Sequence, residues 1–218
     1  RVVRIQDDQI VFDKTVFYPL GGGQPGDQGE LIDAHGQATR IVDTCKDRES
    51  GDILHKVEQI NGLEPGDQVN LKINWPRRHR IMRLHSCMHM LCAVVPAPVT
   101  GGSIRDDGTA RLDFDLPEPP DKQEIEKSLN FLTTGDHAMS IQWISDAELA
   151  AQPELVRTMS VKPPTGAGKV RLIKFDDADL QPCGGTHVAN SNEIGAVKIR
   201  KIEKKGKQNR RIIIELAE

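Results

Sequence analysis

Short runs of apolar or alternating residues follow one another through the first third of the chain. "RVVRI", "QIVFD", "TVFYPL", "GELID", "ATRIVD", "DILHKV" and "QVNLKI" are separated by Gly, Asp, Asn and Pro. Period-2 alternation between turn-forming residues predicts strands, and so many in series predict a small β-barrel-like domain. The pattern then changes. In "WPRRHRIMRLHSCMHMLCAVV" the residues Ile81, Leu84, Met88 and Leu91 recur at helical spacing. Pro76 stands where a helix can begin and Pro96 where it must stop. The change of period sets a domain boundary, with residues 1–75 before it and 76–218 after it.

Beyond the helix, "SIRDDGTARLDFDL" reads as a hairpin turning at Asp106-Asp107-Gly108. "DKQEIEKSLNFLTTG" reads as a helix with Asp121 and Glu124 at capping-box spacing, and "SDAELAA" as a shorter one with Ser145 and Glu148. "AMSIQWIS", "KVRLIKF", "EIGAVKIRKIEKK" and "RRIIIELAE" read as strands. The expected class is α+β: a small N-terminal β-barrel-like domain, then an α+β domain with a mainly antiparallel sheet.

Composition narrows the function. The chain has 218 residues and a net charge of -3, so it is no basic nucleic-acid coat, and contact with nucleic acid must come from local clusters. Cys45, Cys87, Cys92 and Cys183 show no disulfide framework, and no apolar run is long enough to cross a membrane. A cytoplasmic protein with reduced thiols is the expectation, with no membrane partner.

The candidate chemistry lies in two short motifs. "HSCMH" puts His85 and His89 at i and i+4 on one helical face, with Cβ atoms roughly 5–6 Å apart. "CGGTH" adds Cys183 and His187, joined by two glycines that allow a tight turn. Together they make a His₃Cys set whose ligand types suit zinc. Four protein ligands would close a tetrahedral site, whereas a catalytic zinc keeps a position open. A structural metal and a catalytic one with a ligand released both remain open. Cys92 and the histidines His35, His55, His79 and His137 read as core or surface residues.

"FYPLGGGQPGDQG" contains G-x-G-x-x-G at Gly21, Gly23 and Gly26, but strands follow it rather than a helix. That excludes a dinucleotide fingerprint, and the missing Gly-Lys-Ser/Thr excludes a P-loop. What remains is a loop in which backbone approaches either a ligand or its own barrel closely.

The order "DKTVFYPLGGGQPGDQG", "HSCMH", "LQPCGGTHVANSNEIG" resembles the AlaX type of alanyl-tRNA editing proteins, in the medium-length form. These are similar to the editing domain of alanyl-tRNA synthetase. The resemblance implies a zinc-dependent hydrolase that deacylates mischarged tRNA(Ala) in trans, with seryl-tRNA(Ala) as the substrate and glycyl-tRNA(Ala) as a second candidate. It assigns the zinc ligands to His85, His89, Cys183 and His187. Thr15, Gln24 and His187 are then the catalytic candidates. Gly21, Gly22, Gly23 and Gln24 are the substrate-binding candidates. Ser86, Cys87 and Met88 depart from the small or threonine residues common between the helix histidines of that family.

A tRNA partner requires cationic surface. "RRHRIMR" is one cluster. The denser one supplies Lys198, Arg200, Lys201, Lys204, Lys205, Lys207, Arg210 and Arg211. Aromatic residues are only 4% of the chain, so contact with phosphates and helix shape is expected over base stacking. The expected state is a monomer or weak homodimer. Two other readings compete: editing of seryl-tRNA(Thr), and a non-catalytic RNA-binding module with a structural zinc.

Overall fold

The structure, a computed structural model, describes residues 1–159 and 168–217. The chain divides into two compact units, Arg1–His79 and Arg80–Glu218.

In the first unit, β1 (Val2–Gln6), β2 (Gln9–Phe12), β3 (Gly29–Ile32), β4 (Ala38–Lys46), β5 (Ile53–Val57) and β6 (Asn70–Ile73) form one sheet. Its order is β1-β2-β5-β4-β3-β6, and all its ladders are antiparallel. The inward residues Ile10, Phe12, Leu31, Ile41 and Val57 share one core with Val2, Phe17 and Leu63. A bulge between Ile41 and Asp43 shifts the parity of β4, so Thr39 and Ile41 point inward before it and Thr44 after it.

The expected barrel does not close. β1 and β6 are edges of a linear order. The seam between them holds two backbone bonds, Val2 N–H to Asp67 O at 2.8 Å and Gly66 N–H to Val2 O at 2.9 Å, instead of a ladder. "TVFYPL" also departs from expectation, because residues 15–20 form no strand. Their donors go to scattered acceptors and not to a ladder: Phe17 N–H to the Thr15 hydroxyl, Tyr18 N–H to the Asp27 carboxylate and Leu20 N–H to Thr44 O. Pro19 has no N–H to give. Phe17 still reaches the core at 3% exposure, which is why the run looks strand-like in sequence.

The helix α1 (Trp75–Val94) starts in the first unit and continues through the second. Asn74 begins it, its side chain accepting from Arg77 N–H and its carbonyl from Arg78 N–H. Leu84 to Cys92 are all buried, with no solvent face. A helix enclosed all round must be apolar or must pair its polar groups, and this stretch carries His85, Ser86 and His89.

Around it the second unit places a four-stranded antiparallel sheet in the order β12-β13-β8-β7 and a three-stranded one in the order β11-β10-β9. The strands are β7 (Val99–Ile104), β8 (Thr109–Asp115), β9 (Met139–Ile144), β10 (Val170–Phe175), β11 (Asp179–Pro182), β12 (Val197–Lys204) and β13 (Asn209–Leu216). Glu218, the end of the run read into β13, lies outside the described residues. The helices are α2 (Lys122–Thr133) and α3 (Asp146–Ala150). Asp121 caps α2 through Gln123 and Glu124 N–H, and Ser145 with Glu148 forms a complete capping box on α3. Phe114, Ile173, Phe175, Ile212 and Ile214 pack with the α1 residues in one core. The fold is α+β with mainly antiparallel sheets, as the pattern predicts.

Candidate metal centre

α1 supplies two imidazoles on consecutive turns. The segment after β11 supplies Cys183 and His187. Four hydrogen bonds fix that segment. Cys183 N–H donates to Arg171 O at 3.1 Å. The Arg171 guanidinium donates to the carbonyls of Cys183 and Gly185, both at 2.9 Å. Val188 N–H donates to the Ser86 hydroxyl at 3.2 Å, tying the far end of the motif to α1. Gly184 has an ordinary φ and open space where a Cβ would sit. At that position the Arg171 clamp, rather than glycine freedom, shapes the turn.

The four donor atoms lie within 4.8 Å of one another. His187 Nε2 is 3.0 Å from His89 Nε2, and Cys183 Sγ is 3.5 Å from His85 Nε2. A zinc tetrahedron with bonds of ~2.0–2.3 Å has edges of roughly 3.3–3.8 Å; the sulfur–nitrogen pair lies in that range and the nitrogen pair just below it, so small side-chain rotations would bring the four donors around one zinc. The histidines are only 5–6% exposed and Cys183 is half-buried, so the cluster is largely enclosed.

Ring nitrogens buried at this depth need partners. His89 Nδ1 has one in Asp179 Oδ2 at 3.0 Å. Gln181 donates to the same oxygen at 2.8 Å, and the Arg157 guanidinium stands 3.5 Å from the other. Arg157 is brought there by the backbone bonds of its segment with Val99. A carboxylate behind a ligand histidine fixes its tautomer and aims Nε2 at the metal. His187 differs, because its Nδ1 is buried without a hydrogen-bond partner.

The electrostatics follow from this packing. Burial pushes the His89 pKa down, but the bonds to Asp179 and Cys183 outweigh it and raise the value to about 9. Burial and the charges of His85 and His89 press His187 down to about 3. Burial opposes ionisation of Cys183, yet His85 and the other two imidazoles hold its thiol well below the usual range. Gly185 N–H, 3.4 Å from Sγ, also favours the thiolate.

The glycine-rich loop belongs to the first unit. Gly21 and Gln24 exchange backbone bonds of 3.1 and 2.9 Å, with Gly22 and Gly23 between them at φ 58° and 81°. Only glycine takes two such residues in succession at little cost. No helix follows the loop, in keeping with the exclusion of a nucleotide fingerprint. Gln24 is wholly buried. Thr15 is half-buried, and its hydroxyl meets His55 Nε2 at 2.7 Å.

The family described as "Threonyl and Alanyl tRNA synthetase second additional domain" matches residues 170–213, across the second metal motif. That described as "tRNA synthetases class II (A)" matches residues 1–77. The alanyl-tRNA editing protein AlaX-M of Saccharolobus solfataricus is 34% identical over 97% of this chain and 90% of its own. The AlaX-M of Methanosarcina acetivorans is 34% identical over 99% and 92%. The chain belongs to the AlaX-M alanyl-tRNA editing family. It also resembles the alanine–tRNA ligase of Sulfurisphaera tokodaii, at 34% identity over 94% of this chain but 23% of the ligase.

The basic residues expected to meet tRNA in this AlaX-M chain separate into two groups. Lys198, Arg200, Lys201, Lys204, Lys205 and Lys207 are exposed on the β12–β13 hairpin. Lys201 and Lys205 both pair with Glu203. Arg210 and Arg211 serve the fold instead. Arg210 is 5% exposed and bonds to Pro117 O and Asn209 O, while Arg211 and Arg111 enclose Asp113. "RRHRIMR" is also largely committed: Arg78 pairs with Asp27, Arg77 donates to Gly26 O, and Arg83 donates to Ile194 O. Asp179 and His55 were not singled out by sequence. Neither sits in a ligand-spacing motif, although Asp179 lies four positions before Cys183.

Proposed function

We propose that this AlaX-M protein hydrolyses the ester of mischarged tRNA(Ala), releasing serine or glycine and free tRNA in the cytoplasm. The observation that carries the proposal is the convergence of His85, His89, Cys183 and His187 in a chain of this family. Relatives named for alanyl-tRNA favour tRNA(Ala) over tRNA(Thr).

His85, His89 and Cys183 would hold zinc, with Asp179 orienting His89. Bound there, zinc supplies Lewis-acid polarisation of a carbonyl or a water of lowered pKa. His187 is the fourth candidate ligand, and its Nδ1 is buried without a hydrogen-bond partner. Off the metal, its ring nitrogen carries a lone pair able to orient a water towards the ester carbon. The water oxygen bonds to the carbonyl carbon, the ester C–O bond breaks, and the ribose oxygen leaves with a proton as the tRNA hydroxyl.

Thr15 is assigned to the serine hydroxyl, which alanine lacks, because a polar group left unpaired rejects the smaller residue. Gln24, wholly buried where it closes the Gly21–Gly23 turn, is the second candidate for that role. Lys198, Arg200, Lys201, Lys204, Lys205 and Lys207 are assigned to tRNA phosphates. The test is release of free serine from seryl-tRNA(Ala) by the purified protein. No release above the spontaneous rate contradicts the proposal.

A further inference from the structure

The three-stranded sheet of the second unit carries the metal cluster on one of its faces. In the registers of β9, β10 and β11, Met139, Phe175 and Asp179 form one row, and Ile141, Ile173 and Gln181 form the next. Directly opposed residues of an antiparallel pair point to the same side. Trp143 opposes Arg171 in a third row, and Cys183 N–H continues that row through its bond to Arg171 O at 3.1 Å. This side is the cluster's side. Asp179 bonds to His89, and the Phe175 ring lies 6.4 Å from that of His89 and 6.3 Å from that of His187. Val170 and Leu172 alternate to the other side, where they form a separate small core with Leu149, flanked by Ile144 and Leu180.

Cover on the cluster face stops at β10. Ile173 and Phe175 are fully buried there, whereas Ile141 is 48% exposed and Trp143 is 60% exposed on the edge strand β9. Arg171 stands between Trp143 and the cluster, its guanidinium held by the carbonyls of Cys183 and Gly185. Neighbouring strands lie ~4.8 Å apart, so Trp143 is two strands, roughly 10 Å, from Cys183.

We propose that Trp143 stacks on the 3′-terminal base of the tRNA, with Ile141 beside it, so that the ester on the same nucleotide reaches the cluster. The inference rests on the reading that the cluster meets the ester, and it adds where the end carrying that ester is held. Ester and base share one ribose, which bridges a separation of this order. The end is single-stranded, so its base is unpaired and free to stack. An indole accepts any base on its π-face, which suits an end that all tRNAs share. Few aromatic residues leave the body of the tRNA to cations, but one end base needs only one ring. A second copy of the chain is the poorer occupant. Ile141 and Trp143 together offer a few hundred Å² at most, against ~800 Å² per partner in a stable interface. Because the base is common to every ester, Trp143 serves binding and not the choice of amino acid.

Fluorescence reads the contact directly. The chain has two tryptophans. Trp75 is exposed and stacked on His79, so Trp75→Phe leaves Trp143 as the sole indole at little structural cost. That variant is titrated with uncharged tRNA(Ala), and with the same tRNA trimmed of its terminal nucleotide, while filter binding measures occupancy. Intact tRNA should quench the Trp143 emission, and bound trimmed tRNA should leave it almost unchanged. Equal quenching by both, or none at saturation with intact tRNA, overturns the inference.

Kinetics supply the second reading. Trp143→Ala should raise KM for seryl-tRNA(Ala) by about tenfold or more, the scale of one lost base–aromatic stack. Its melting temperature should hold, and Trp143→Phe should keep most of the affinity. An unchanged KM in Trp143→Ala, alone or with an altered sedimentation coefficient that assigns the face to a second copy, overturns the inference and leaves the hydrolase reading standing. No serine release by the unaltered protein fails the hydrolase reading instead, and the quenching titration still decides where the base goes.

Discussion

His89 Nδ1 lies 3.0 Å from Asp179 Oδ2, deep in the second unit, and this contact turns His89 Nε2 towards the other three donors of the cluster. Asp179 is itself held by Gln181 and faced by Arg157. An Asp179→Asn variant keeps the shape but loses the charge. Its zinc affinity should fall by about ten- to a hundredfold, measured by competition with a chromogenic chelator. An affinity equal to wild type would mean that the carboxylate only neutralises Arg157.

The two basic groups should separate experimentally. Replacing Lys198, Arg200, Lys204 and Lys207 with alanine should raise KM for charged tRNA, flatten its salt dependence and leave the melting temperature in place. Arg210→Ala should do the reverse, costing about 2 kcal/mol of stability by stranding buried carbonyls. Parallel kinetics and thermal melts decide between these roles. A tRNA defect without destabilisation in Arg210→Ala would contradict the assignment.

His55 makes stability pH-dependent. Its folded pKa of about 4 lies below the ~6.5 of an unfolded histidine. Between those values the unfolded chain binds a proton that the folded chain does not. The contribution is therefore complete above about pH 6.5 and is lost as pH falls towards 4. It amounts to about 3 kcal/mol over that range. Urea titrations at several pH values should show a steeper acid loss in wild type than in His55→Phe. Identical slopes would contradict a neutral buried His55.

Gly26 sits where a Cβ would lie 2.0 Å from Thr44 O and 2.7 Å from an Asp43 carboxylate oxygen. Gly26→Ala must push β4 away, and it should destabilise by about 1–3 kcal/mol or more. A thermal melt measures this, and an unchanged midpoint would contradict the packing. A substitution at Gly22 tests something else, because open space surrounds it and the cost is backbone strain at positive φ.

Much of this was legible in residue patterns, and the exceptions have physical causes. Pro76 in the first turn and Pro96 beyond the end mark the helix found at Trp75–Val94, and i, i+4 spacing announces the pair His85 and His89. "TVFYPL" misleads because apolar content reports burial, whereas strand formation depends on where the N–H groups go. The barrel fails to close because closure rests on pairing between β1 and β6, which no local run encodes. Asp179 and His55 stay hidden because their partners are 90 and 40–45 residues away. Arg210 could have been found: it shares strand parity with Ile212 and Ile214, so alternation turns it inward.

The central claim is that the His₃Cys cluster serves ester hydrolysis on mischarged tRNA(Ala). The most direct measurement is deacylation of seryl-tRNA(Ala), alanyl-tRNA(Ala) and seryl-tRNA(Ser), before and after chelation and after zinc is restored. The account predicts release of serine from tRNA(Ala) alone, abolished by chelation and recovered with zinc. Full activity in metal-free protein, or no release from any of the three by protein holding one zinc per chain, would contradict it.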